Sequence, residues 1–141
     1  AKDLGVPLLL PIDHIAKKKG AGDEKPITVE GSIPPDYAAL DIGPRTVAQF
    51  SQAIESARMV LWNGPMGLFE EKPFDLGTRS IAQALARSPA TSIVAGGDSV
   101  AAVREAGVED KITHLSTGGG ATLEFLEGKK LPGVQALEES F

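Results

Sequence analysis

The sequence predicts an α/β fold built on a parallel sheet, and two observations carry that expectation. Sixteen Gly and ten Pro punctuate the 141 residues, and the segments between them alternate between short apolar runs and stretches of helical spacing. From residue 44 onward the alternation reads helix then strand three times over, the order that parallel strands with helical crossovers require.

Taken in order, Val6 to Leu10, closed by Pro11, reads as a buried strand. Lys17-Lys18-Lys19 and the following Gly-Asp-Glu-Lys read as a solvated turn, and Ile27 and Val29 alternate with Thr28 and Glu30 as a half-exposed strand would. Pro34-Pro35 opens an irregular link that runs to Gly43. A helix starts at Pro44, because Pro suits the first helical position and Val47, Phe50, Ile54 and Ala57 fall on one face. Met59 to Trp62 follows as a buried strand. Leu76 to Ser88 carries Ile81, Ala82 and Leu85 on one face; Pro89 stops it, and Thr91 to Ala95 is the next strand. Ser99 to Ala106 is a third helix and Lys111 to Leu115 a third strand. Ala121 to Glu127 is the last helix, ended by Gly128 with Lys129 and Lys130 beside its negative end. The whole reads as a three-layer, Rossmann-like sheet with helices on its faces.

Composition narrows the function. Hydrophobic residues at 42% and charged residues at 23% are ordinary globular usage. Fourteen Lys and Arg against nineteen Asp and Glu give a net charge of −5, which offers no positive field to a nucleic-acid backbone. With no Cys there is no thiol nucleophile, disulfide or thiolate metal site, and a cytoplasmic setting is expected. Apolar runs of four or five residues are far too short to span a membrane, and the amino terminus has no signal-peptide pattern. Ala1 stands where an initiator Met would, which leaves processing, a tag remnant or excision from a longer chain open.

Each of the three strands runs into a Gly-bearing turn: Asn63-Gly64-Pro65-Met66-Gly67, Gly96-Gly97-Asp98-Ser99 and Ser116-Thr117-Gly118-Gly119-Gly120. In open parallel sheets ligands bind at the carboxyl ends of the strands, so these turns would converge on one edge. Gly lets backbone approach a ligand closely, and N–H groups at the helix starts donate to phosphate oxygens. Ordinary turn punctuation is the competing reading of any one of them. Asp98 either caps its helix or binds Mg²⁺, which takes one or two carboxylates together with phosphate oxygens. Ser99 could cap or touch phosphate. Glu70 is either a surface acid or an acceptor for a ribose diol. Neither G-x-x-x-x-G-K-[ST] nor G-x-G-x-x-G is present, since Leu123 stands where the latter needs its third Gly. His14 and His114 stand alone and read as packing or surface.

The runs Leu61-Trp62-Asn63-Gly64-Pro65-Met66-Gly67-Leu68-Phe69-Glu70, Gly96-Gly97-Asp98-Ser99 and Ser116-Thr117-Gly118-Gly119-Gly120-Ala121 resemble phosphoglycerate kinase. Leu40-Asp41-Ile42-Gly43-Pro44 and Glu124 to Val134 are similar to that family too, so the resemblance covers essentially the whole chain. It reaches only about the last third of the family protein, and residues 1–141 are expected to be the C-terminal part of its nucleotide-binding lobe, a partial domain.

The resemblance implies phosphoryl transfer between 1,3-bisphosphoglycerate and Mg-ADP, giving 3-phosphoglycerate and ATP, by a cytoplasmic and usually monomeric enzyme. By motif, Glu70 would bind the ribose, Pro65 and Leu68 would wall the nucleoside, and Asn63 would reach toward phosphate. Asp98 would hold Mg²⁺; Gly96, Gly97 and Ser99 would contact nucleotide phosphates. Gly97, Gly119 and Gly120 are the candidate catalytic positions, the N–H groups of the last two facing the phosphoryl group in flight. Ala95 departs from a family that often has a third Gly there. The acceptor-binding lobe with its basic patch, and the Lys-bearing segment that begins the nucleotide lobe, have no counterpart in this sequence. The chain alone is therefore expected not to turn over, and its unpaired edges are expected to promote self-association. A non-catalytic nucleotide-binding module is the rival expectation.

Overall fold

The computed structural model describes residues 1–20, 22 and 24–138, and it contains two three-stranded sheets rather than one. Strands β1 (Asp13–Lys18), β2 (Ile27–Glu30) and β3 (Tyr37–Ile42) form an antiparallel sheet in the order β2-β1-β3. Helix α1 (Pro44–Ser56) leads to β4 (Met59–Asn63), α2 (Leu76–Arg87), β5 (Thr91–Ala95), α3 (Gly97–Glu105), β6 (His114–Ser116), α4 (Gly119–Leu126) and α5 (Pro132–Glu138). The strands of this second half make the parallel sheet, ordered β4-β5-β6 and flanked by helices, as the helix-strand alternation predicts.

The central strand β5 is the core of that sheet, with Val94 and Ala95 fully buried. Around it pack Ile54 of α1, Ile81, Ala82 and Leu85 of α2, and Val100 and Val103 of α3. Strand β4 is less buried than its apolar run suggests. It lies at the sheet edge, so Met59 stays 64% exposed while Trp62, near the other end, is 5% exposed. The Trp62 indole N–H has no hydrogen-bond partner among the described residues.

Several expectations are corrected. Val6 to Leu10 is neither strand nor buried: it has no regular structure, and Val6, Leu8, Leu9 and Leu10 are exposed. An apolar run becomes a strand only where a neighbour takes its backbone groups, and Pro7 and Pro11 lack N–H groups to offer one. Lys17 and Lys18 belong to β1 instead of a turn, and Ala21 and Asp23 of the expected turn lie outside the described residues. The link after Pro34-Pro35 contains β3, which pairs with β1 across Lys18↔Tyr37 to His14↔Ile42. Residues Glu109–Lys111 form a 3₁₀ turn, so the third parallel strand starts only at His114. Helix α5 begins at Pro132, a helix-start signal that the sequence reading left unused.

The antiparallel sheet is joined to the helices by two buried carboxylates. Helices α1 and α2 have no side-chain cap of their own at Gly43 and Asp75. Asp13 of β1, with no exposed surface, supplies the first: its Oδ2 accepts the Arg45 N–H at 2.9 Å and its Oδ1 the Thr46 N–H at 2.7 Å and the Thr46 hydroxyl at 2.6 Å. Asp41 of β3, 4% exposed, accepts the Gly77 N–H of α2 at 2.7 Å. Each carboxylate does for a distant helix what an N-cap does locally.

The two carboxyls are shifted in opposite directions. Burial pushes the Asp13 carboxyl up, but the Thr46 hydroxyl, the N–H groups of Arg45 and Thr46 and the Arg45 charge outweigh it and hold the group below its ordinary 3.8. Burial pushes Asp41 above 3.8; N–H bonds from Gly77 and Ile42 pull it partly back, and Asp75 adds to the rise. A lowered folded pKa gives stability that is present above the unfolded value and lost as pH falls through the folded one. At pH 7 Asp13→Ala is expected to cost about 2–4 kcal/mol, leaving buried donors unpaired. The gap between wild type and variant should narrow as pH falls below 3.8. Urea unfolding of both proteins at pH 7 and pH 3 checks this; a gap that does not narrow at pH 3 contradicts the assignment.

Candidate functional site

The parallel register sets Asn63 beside Ala95 and Ala95 beside Ser116, so all three strands release their turns at one edge. The turns are tied to one another. The Gly96 N–H donates to the Ser116 carbonyl at 2.9 Å, the Gly64 N–H to the Ser99 hydroxyl at 2.7 Å, and the Asn63 side-chain amide to the Gly119 carbonyl at 3.3 Å. The convergence expected from the strand order is present.

The glycines there divide into two kinds. Gly96 has φ +94°, and a Cβ on it would lie 2.9 Å from Asn63 Oδ1. A Cβ on Gly119 would lie 2.9 Å from the Gly96 Cα. These two are needed for the turns to touch, whatever binds. Gly97 and Gly120 have nothing within 4 Å of where a Cβ would stand. They sit in the first turns of α3 and α4, where N–H groups lack helical acceptors. Open space above free donors is what an oxyanion of a phosphate uses.

Asp98 is exposed in the first turn of α3 and, among the described residues, makes no hydrogen bond or ion pair. The capping alternative is therefore not realised by its side chain. No group of three or more His, Asp or Glu that could hold a metal occurs among the described residues. A lone free carboxylate beside open N–H groups does not suit a metal caged by protein alone; it suits Mg²⁺ that arrives with phosphate oxygens. Ser99 is only 1% exposed and lies beneath the turn, its oxygen accepting the Gly64 N–H.

Beyond Gly64 the β4 turn enters a cleft of about 540 Å³ lined by Pro65, Met66, Gly67 and Leu68 on one side and by Pro11, His14 and Ala39 to Ile42 on the other. The structure thus brings Pro65 and Leu68 together as cleft walls. Glu70 is exposed in the turn that follows and does not line the cleft. Leu40, Asp41 and His14 are lining residues that the sequence reading did not place there. The signal for Leu40 and Asp41 lay in the strand hidden after Pro34-Pro35, and His14 becomes a wall only through its pairing opposite Ile42. His114 is exposed on β6.

No helix among the described residues is long and apolar enough to cross a membrane. The chain is 62% identical over 136 residues to a phosphoglycerate kinase of Koribacter versatilis, covering 94% of this chain and 34% of that protein. It is 56% identical over 142 aligned residues to one from Acidobacterium capsulatum, covering 99% and 35%. The solved phosphoglycerate kinase of Coxiella burnetii superimposes with a TM-score of 0.88 at 39% identity, covering 99% of this chain and 36% of that one. The chain thus spans about a third of the length of these relatives. The family model for phosphoglycerate kinase matches residues 1–129, and on that match the chain belongs to the phosphoglycerate kinase family.

Proposed function

We propose that this chain is the C-terminal part of the nucleotide-binding lobe of a glycolytic kinase that moves a phosphoryl group between 1,3-bisphosphoglycerate and Mg-ADP. The observation that carries the reading is the convergence of three turns at one sheet edge, where Gly97 and Gly120 leave their backbone open beside an apolar cleft. In the forward direction the acyl phosphate O–P bond breaks and an ADP β-phosphate oxygen takes the phosphoryl group, leaving 3-phosphoglycerate and ATP. Such a transfer needs positioned donors more than covalent chemistry.

Gly97 and Gly120 donate backbone N–H groups to the phosphate oxygens as charge develops on them, and Gly119 joins them by giving up the bond its N–H makes to the Thr117 carbonyl at 3.2 Å. Gly96 and Asn63 keep these donors in register, and Ser99 holds Gly64 from beneath. Pro65 and Leu68 wall the nucleoside, and Glu70 accepts from the ribose hydroxyls. Asp98 would hold Mg²⁺, which when bound would offset phosphate charge. Calorimetric titration with Mg-ADP is expected to show binding that weakens about tenfold, or about 1.4 kcal/mol, in Asp98→Ala or without metal. A folded chain that gives no heat at any accessible concentration contradicts nucleotide binding by this chain.

Catalysis needs groups that bind and polarise the acceptor, and this chain spans only about a third of the length of its relatives. A coupled assay with the chain alone is expected to show no turnover; activity comparable to an intact kinase, free of host enzyme, contradicts that. The same residues serve a non-catalytic nucleotide-binding module, which the upstream coding sequence distinguishes.

Placement in the cytoplasm and a monomeric parent follow from the family reading. The chain itself carries an exposed apolar run at Val6 to Leu10 and a free sheet edge at β4, features that favour association. Sedimentation is expected to show oligomers that dissociate on dilution, and a compact monomer at every concentration rules them out.

A further inference from the structure

Three consecutive amides of the loop between β4 and α2 are held from outside the loop. The Thr78 hydroxyl oxygen accepts the Met66 N–H at 3.0 Å and the Gly67 N–H at 3.3 Å, and the Leu40 carbonyl accepts the Leu68 N–H at 2.8 Å. Thr78 is buried in the first turn of α2, one residue after Gly77. That turn is in its place because Asp41 accepts the Gly77 N–H at 2.7 Å, while its other oxygen accepts the Ile42 N–H at 2.8 Å. The carboxylate lies so close to Gly67 and Gly77 that a Cβ on either would collide with Oδ1.

These bonds join the two walls of the cleft. Leu40 and Asp41 stand on the β3 side, and Met66, Gly67 and Leu68 on the loop side. Thr78 does not line the cleft, yet it accepts two of the loop's N–H groups, and a β-branched side chain in a helix keeps its oxygen within few rotamers. We propose that Thr78 and Asp41 are positioning residues that fix the spacing of the nucleoside walls, Thr78 by anchoring the loop and Asp41 by anchoring the turn that carries Thr78. The inference rests on the nucleotide reading of the cleft given above.

Thr78→Val keeps the shape and removes the acceptor, whereas Thr78→Ser keeps the acceptor. In Thr78→Val, amide hydrogen exchange at Met66 and Gly67 is expected to accelerate at least about tenfold with β5 amides unchanged. Mg-ADP affinity should fall about tenfold while Mg-pyrophosphate, which lacks the nucleoside, binds as before. Thr78→Ser should restore both. Unchanged exchange at Met66 and Gly67 overturns the inference, as does acceleration throughout the core, which is what a merely structural loss produces. ADP binding that survives Thr78→Val overturns the inference alone; a wild-type chain that binds no ADP overturns the nucleotide reading and the inference with it.

Discussion

Two helices of this chain are capped by carboxylates that reach them from another sheet, and the rest of the architecture depends on that. Without Asp13 and Asp41 the first N–H groups of α1 and α2 would be buried and unpaired. With them, the antiparallel sheet and the helices of the parallel one become parts of a single polar framework. The cost of burial falls differently on the two. Asp13 collects enough donors to be held below its ordinary pKa, and Asp41, with fewer donors and Asp75 nearby, is held above it.

The site inherits its geometry from this framework. Strand β3 ends at Asp41 and Ile42, and the same short stretch walls the cleft and holds α2. The glycine turns of the site are assembled by a different device, the mutual contact of Gly96, Asn63 and Gly119 at the ends of adjacent parallel strands. One half is therefore arranged by side-chain carboxylates and a hydroxyl, the other by backbone that only glycine allows to meet.

What the sequence disclosed follows this division. Helices α1 and α2, strand β5 and the three turns were legible because their signals are local: a Pro at a helix start, an apolar face, a Gly pair at a strand end. The capping role of Asp41 has no local signal, since its partner Gly77 is 36 residues away. Strand β3 was missed because a buried Asp interrupts its apolar pattern, and β1 because its tail carries Lys17 and Lys18. The opposite error befell Val6 to Leu10, whose composition is that of a strand but which neither sheet accepts. Local pattern names what a segment can become; the availability of a hydrogen-bonding neighbour decides what it does become.

The glycines packed against the two carboxylates bear on how such a chain can vary. Gly43 is filled by Asp13, and Gly67 and Gly77 both abut Asp41. A side chain at Gly43 or Gly77 can enter only after the carboxylate has gone, and losing the carboxylate first strands the helix start it satisfies; Gly67 stays closed even then by the Leu40 carbonyl and the Asp41 Cα. Each route of single steps thus passes through a less stable intermediate, and the aspartate and its glycines are accessible to change only as linked sets.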